Sequence, residues 1–415
     1  MNARAAAAGT AFAPVLREDW LEAPEGLVAV PEGTATTTPG FVAAATACGL
    51  KPSGDLDLGL LRSVPPAVSA LVDTVNALPS APVRLNRTRP RGGLQAVLVN
   101  AGTANAATGS PGLEDARAMA ARAAAGAGLP EEAVAVCSTG TIGERLDLDR
   151  VLPAVDAVAG RLAPDGGGDF GRAICTTDAW PKGGAFRLSL GAGEVTIGIA
   201  GKGAGMIRPT MATMLAFVTT DAAVAAEDLA AATRSAAARA FNRISVDGQM
   251  SPSDTLLVLA NGAGPPLTGA DLVRFGDGLA AVCRWTAIQM VKDGEGAEHA
   301  VRVVVRGARE SGEAEAVARA VGESALVKTA VFGRDPNWGR ISQAVGQALA
   351  ARPGVPVDLR VSFDGVPAGD PALARVMERP EYDVEIDLGR GTAEYALWAS
   401  DLGHAYVTLN AEYHT

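Results

Sequence analysis

Short apolar runs that close on glycine recur along the chain: Ala96–Gly102, Ala133–Gly140, Val195–Gly201, Leu256–Gly262 and Val301–Gly307. Runs this short and continuous read as strands covered on both faces, each stopped by a residue that lets the backbone turn sharply. Alanine-rich segments of helical period lie between them: Leu113–Gly126, Ala226–Phe241, Leu272–Val291, Ser311–Val321 and Ile341–Ala351. Ser110 and Pro111 offer an N-cap and a first-turn proline for the first. The last quarter alternates like antiparallel strands over 357–366, 382–388 and 391–409. Strands and helices do not alternate one for one, so the pattern predicts a layered α+β fold with mixed or antiparallel sheets. Aromatic residues are only 4% of the chain, so Ala, Val and Leu must fill the core. Residues 1–36 read as a loosely ordered leader.

Composition then excludes whole classes of chemistry. No apolar stretch is long enough to span a bilayer, and the first twenty residues lack an apolar run with a cleavage site, so a cytoplasmic protein is expected. A net charge of −10 disfavours nucleic-acid binding, which rests on basic patches. The four Cys, with no C-x-x-C spacing, argue against a disulfide framework or a Cys/His metal site. The three His include two within the last twelve residues. An enzyme built on this chain would therefore use a base other than imidazole; His299 and His404 read as structural or solvated.

Four segments could carry chemistry. Gly201–Thr220 has a glycine cluster, yet it matches neither phosphate-loop pattern, and a plain turn is the simpler reading. Val136–Gly143 ends a strand in Ser-Thr-Gly, a turn whose N–H groups can stabilise developing negative charge. In Val291–His299 a glycine-flanked Glu295 follows a helix. The carboxy terminus, LNAEYHT, carries no signal alone.

Taken together and in order, the segments resemble the ornithine acetyltransferase family. The motifs are VNAGTANAATG (99–109), CSTGTIG (137–143), TTDAWPK (176–182), GKGAGMIRPTMATMLAFVTTD (201–221), SVDGQMSPSDT (245–255), VKDGEGAEH (291–299), KTAVFGRDPNWGRI (328–341) and YVTLNAEYHT (406–415). The resemblance implies a layered α/β sandwich shared with DmpA-like proteins, plus a smaller second lobe. It implies self-cleavage between Ala212 and Thr213, giving a first fragment over 37–212 behind the leader and a second over 213–415. These stay together, as a heterotetramer of two of each.

The activity implied is ping-pong transfer of acetyl from N2-acetyl-L-ornithine to L-glutamate, in arginine biosynthesis. Thr213 is the implied nucleophile, with its freed amine as base; Thr139 and Gly140 form the oxyanion hole. Substrate contacts map to Thr176, Thr177, Lys202, Thr213, Glu295, Asn410 and Thr415, with Lys202 on the α-carboxylate and Glu295 on the δ-ammonium. No metal or organic cofactor is implied; acetyl-CoA is a further substrate in bifunctional members. The partners are small amino acids, with no nucleic acid and no membrane. The Asn337–Trp338 pair reads as a turn with a packed indole.

The chain departs from the family pattern at Thr103, Ala107, Thr210, Gln249 and Pro252, where Asn, Cys, Asn, Asp and Thr are usual. Other readings therefore stay open: an acyltransferase paralogue of a specialised pathway acting on an ornithine-like or other amino acid, an amidohydrolase or aminopeptidase using the same nucleophile, or an uncleaved, non-catalytic homologue.

Overall fold

The computed structural model describes residues 17–208, 214–350 and 357–412. Its larger part is four layers thick. One sheet has six strands in the order Leu27–Ala29, Lys182–Leu190, Gly193–Lys202, Leu215–Thr220, Thr255–Ala260 and Val68–Asp73. The other has four: Phe41–Thr46, Leu58–Ser63, Ala96–Thr103 and Val134–Thr141. The two sheets face each other, and helices cover both outer faces.

The period of two along each strand explains the layering. Leu215, Phe217, Leu257 and Leu259 point at the smaller sheet, meeting Val97, Val99, Ala135 and Cys137. Ala216, Val218, Leu256 and Val258 point the other way, under helices Ala226–Arg239 and Gly269–Lys292. Leu98, Val134 and Val136 pack beneath helices Gly109–Ala127 and Leu148–Ala159. Sheets buried on both faces need near-continuous apolar strands, which these are. Leu215–Thr220 with Thr255–Ala260, and Ala96–Thr103 with Val134–Thr141, pair in parallel; most other neighbours are antiparallel. The sheets are mixed, as the sequence pattern predicts.

A second lobe has its own six-stranded sheet and core. Val303, Val305, Val384 and Ile386 meet Val317, Val321, Ile341 and Val345 from the helices Ser311–Gly322 and Trp338–Leu349. Among the described residues no helix is long and apolar enough to cross a membrane.

Three local expectations need correcting. Residues 17–36 are not loose: Leu27–Ala29 pairs with Lys182–Leu190, and Trp20 is fully buried with its Nε1 donating to Asp383 Oδ1 at 2.9 Å. In a chain so poor in aromatics, one indole offers more burial than several alanines, and this one ties the segment to the second lobe. Residues 1–16 lie outside the described residues. The strand expected over 391–409 stops at Ser400, and His404–Glu412 is a helix with no buried residue. Its Tyr, Val and Thr favour strands, but the chain turns at Gly403, where a Cβ would lie 2.3 Å from the Phe332 ring. Ser110 is not an N-cap: the helix starts at Gly109, and the hydroxyl of Thr108 before it donates to Asn105 instead.

Candidate active site

The site forms where strands of both sheets end. Parallel pairing sets Gly140 opposite Gly102. Gly140 has φ +127°, and a Cβ there would sit 2.2 Å from the Gly102 carbonyl carbon. Only glycine permits this closure, and it fixes the turn that carries the buried Thr139. Lys202 ends its own strand and is also buried. Its Nζ donates to Thr139 Oγ1 and Thr176 Oγ1, both at 2.9 Å. An ammonium only donates, so both hydroxyls accept from it and keep their own hydrogens for another acceptor. Burial lowers the Lys202 pKa, opposed mainly by Asp178.

A buried ion cluster fixes these groups. Lys182 pairs with Asp178 and Asp293, all three side chains being almost wholly enclosed. Asp178 also accepts the N–H of Thr176 at 2.9 Å and of Gly203 at 2.7 Å. Asp293 accepts the N–H of Ala179 at 2.9 Å. One lysine thus ties together the Thr176–Thr177 turn, the end of the Lys202 strand and the segment leading to Glu295. Burial alone would push Asp178 up, but Lys182 and Lys202 outweigh it and hold the carboxyl well below the usual range. Burial pushes Asp293 up to about 6 against the pull of Lys182.

Glu295 needs two glycines. A Cβ on Gly205 would lie 2.4 Å from the Glu295 carboxyl carbon, and one on Gly296 would lie 2.5 Å from Tyr406 N. The first clearance lets the carboxylate approach the glycine turn. The second lets the final helix cross above it. Asn410 Nδ2 donates to Glu295 Oε2 at 2.8 Å, and Tyr406 Oη to Asp247 Oδ2 at 3.3 Å.

Carboxylates also hold both flanks of residues 209–213. Asp247 accepts the N–H groups of Met206 and Ile207 at 2.5 and 2.9 Å. Asp254 Oδ1 accepts that of Met214 at 2.9 Å. Thr210, Ala212, Thr213 and Thr415 themselves lie outside the described residues.

A cleft of about 150 Å³ collects Thr139, Gly140, Thr176, Thr177, Lys202, Glu295 and Asn410. Every described residue expected at the site therefore lines one cavity, and its volume suits an amino acid better than a nucleotide. The departures Gln249 and Pro252 line it too, whereas Thr103 faces an adjoining pocket. Asp178, Lys182, Asp293, Asp247, Asp254 and Tyr406 were not singled out from the sequence, although each lies within a quoted motif. His299 is buried against Asp401, a structural role, and His404 is exposed beside Phe332. The packed indole expected at Trp338 is wrong: that side chain is 52% exposed, while Asn337 caps the following helix.

Hydroxyls turned outward by a buried lysine, a glycine-made turn and a lone glutamate define a class: an enzyme site for a small amino acid carrying charges of both signs. The chain belongs to the ArgJ family, whose model matches residues 42–415. It is 46% identical over 397 residues to the arginine biosynthesis bifunctional protein ArgJ of Symbiobacterium thermophilum, covering 92% of this chain and 99% of that protein. It is 43% identical over 389 residues to the protein of the same name from Geobacter sulfurreducens, covering 91% and 99%. A solved ornithine acetyltransferase chain from Mycobacterium tuberculosis, in complex with ornithine, is 35% identical; the match covers 46% of this chain and 100% of that one, with a TM-score of 0.41.

Proposed function

We propose that this chain transfers the acetyl group of N2-acetyl-L-ornithine to L-glutamate, through an acetyl ester on Thr213, in arginine biosynthesis. The observation that carries the reading is the gathering of Thr139, Gly140, Thr176, Lys202, Glu295 and Asn410 around one small cleft, beside the ends of the 209–213 segment.

The chain first cuts itself between Ala212 and Thr213. The new α-amine, with a reference pKa of about 7.7–8.0, is partly neutral near pH 7 and takes the Thr213 hydroxyl proton. The hydroxyl oxygen attacks the acetyl carbonyl. The outward hydroxyl of Thr139 and the Gly140 backbone donate to the resulting oxyanion, whose stabilisation depends on donors fixed in advance. Lys202 meets the substrate α-carboxylate and Glu295 the ornithine δ-ammonium, while Asn410 and Thr415 close the site. Ornithine leaves, glutamate enters, and the same steps run in reverse. No step calls on a metal or organic cofactor; acetyl-CoA is a further donor if the chain is bifunctional.

The cut falls between neighbouring strands of one sheet, Gly193–Lys202 and Leu215–Thr220. Strands of the second fragment are flanked on both sides by strands of the first, which supports fragments that stay together. A dimer of such pairs, in the cytoplasm, completes the proposal. A second reading, a paralogue with another amino acid as acceptor, draws support from Gln249 and Pro252 in the cleft wall.

The test supplies N2-acetylornithine and glutamate together, then a panel of other amino acids as acceptors. Appearance of N-acetylglutamate, with an acetylated second fragment when the acceptor is withheld, is expected. Transfer only to another acceptor would favour the paralogue, and release of free acetate alone would favour a hydrolase.

A further inference from the structure

The motif over 328–341 has no task in the reaction described above. Its first residue, Lys328, lies on the second-lobe helix Ala325–Phe332, which carries no other charged side chain. Lys328 is buried. Its Nζ donates to the Ser400 carbonyl and, at 3.3 Å, to the Ser400 hydroxyl. That hydroxyl donates in turn to the Val246 carbonyl at 3.4 Å. Ser400 ends the strand Ala393–Ser400, against which Ile244–Ser245 pairs in parallel. The second lobe therefore grips the segment that runs straight into Asp247.

From there the contacts reach the cleft. The Val246 N–H donates to the Ile207 carbonyl at 2.9 Å, and Asp247 accepts the N–H groups of Met206 and Ile207. Met206 sits at φ +53°, a left-handed backbone that its Cβ disfavours, so this turn needs outside support. The same turn carries Ala204, whose carbonyl accepts the Glu295 N–H at 2.8 Å.

Resting on the acetyl-transfer reading, we infer that Lys328 is a positioning residue. Through Ser400, Val246 and Asp247, its buried ammonium sets the 203–207 turn and, with it, the place of Glu295 against the ornithine δ-ammonium.

The surroundings call for a cation. Lys328 faces Asp247, Asp401 just after the Ala393–Ser400 strand, and Glu323 just after the helix Ser311–Gly322. Asp401 is paired with His299, Glu323 with Arg208, and Asp247 with backbone N–H groups and Tyr406. Tyr382, from the strand Glu381–Asp387, lies toward Asp401, and burial pushes its hydroxyl up. Burial lowers Lys328 to about 8 against the pull of the three carboxylates. Above that pH the amine is neutral, its hydrogen bonds to Ser400 weaken, and Asp247 loses a compensating charge.

The test measures KM for N2-acetylornithine in steady-state transfer to glutamate from pH 7 to pH 9, with the full wild-type chain, Lys328→Met and Lys328→Arg. The wild-type KM should rise about tenfold, because one unit above a pKa of about 8 only about a tenth of the lysine keeps its proton. The Thr213 amine serves both half-reactions alike, so its titration moves kcat rather than KM. Lys328→Met should show the raised KM already at pH 7 and no rise after it. Lys328→Arg keeps its charge at pH 9, so it should restore part of the affinity and lack the rise. A lysine that only stabilises the fold would lower the yield of active enzyme and leave KM and its pH profile unchanged. A wild-type KM that stays flat or falls, the same rise in Lys328→Met, or a wild-type KM in that variant would overturn the inference alone. The wild-type profile decides the matter if neither variant folds. A wild-type chain that moves no acetyl from N2-acetylornithine would overturn the acetyl-transfer reading and this inference with it.

Discussion

Replacing Lys182 by Met should unsettle both the fold and the site, because one ammonium holds two buried carboxylates. The Lys182 and Asp178 side chains are 0% exposed and that of Asp293 is 4% exposed. Methionine matches the length of the stem but leaves two anions facing each other, with Lys202 alone to offset Asp178. Breaking a buried pair in this way costs about 3–5 kcal/mol. Total stabilities run to about 5–15 kcal/mol, so the loss is a large share.

The sign with pH follows from the two carboxyls. In the wild type Asp293 titrates at about 6, above its unfolded value, so the folded state keeps a proton that the unfolded state has already released. Its contribution to stability therefore shrinks as pH rises toward 6. Asp178 is depressed, and its contribution is present above the ordinary carboxyl range and lost as pH falls through it. In Lys182→Met both carboxyls lose the cation and move up. The penalty should be full at pH 7.5 and much smaller near pH 5, where at least one carboxyl is neutral. Guanidinium unfolding of both proteins at the two pH values measures this. A loss under about 1 kcal/mol at pH 7.5, or an equal loss at both pH values, would refute the reasoning about this cluster.

Other outcomes follow from the same geometry. Thr139→Val removes an oxyanion donor, and kcat for acetyl transfer should fall by about 10²–10³ with KM little changed, in steady-state assays. Glu295→Gln removes the charge facing an ammonium; a charged hydrogen bond contributes about 1.5–3 kcal/mol, so KM for N2-acetylornithine should rise by about 10–100-fold once product inhibition by ornithine is weighed beside it. Because the proposed cut at 212–213 would fall between the paired strands Gly193–Lys202 and Leu215–Thr220, both fragments should elute together in native size exclusion and separate only in denaturant.

Much of the scaffold was written in local pattern. The glycine-ended runs became strands, and two of them, Val134–Thr141 and Gly193–Lys202, end at the cleft. The motif residues Thr176, Lys202 and Glu295 met in one cavity although 119 positions separate the first from the last (295 − 176). What stayed hidden depended on burial, which spacing does not reveal. Lys182 and Asp178 stand four apart in TTDAWPK, but only the fold encloses them and adds Asp293. Asp254 looks like any acid before a strand until the fold encloses it completely. The helix at His404–Glu412 was misread because it buries no face, so no helical period marks it. Trp338 was misplaced because a large aromatic in a poor core invites burial, yet its position at a helix start turns it outward.

The central claim is that Thr213 becomes an amino-terminal nucleophile, and intact-mass spectrometry of purified wild type beside Thr213→Ala tests it most directly. The account predicts two wild-type fragments that break between Ala212 and Thr213, with the second gaining one acetyl group on exposure to N2-acetylornithine, and an uncut Thr213→Ala. A wild-type chain that stays whole while still transferring acetyl, or a Thr213→Ala chain that cuts at the same bond, would contradict it.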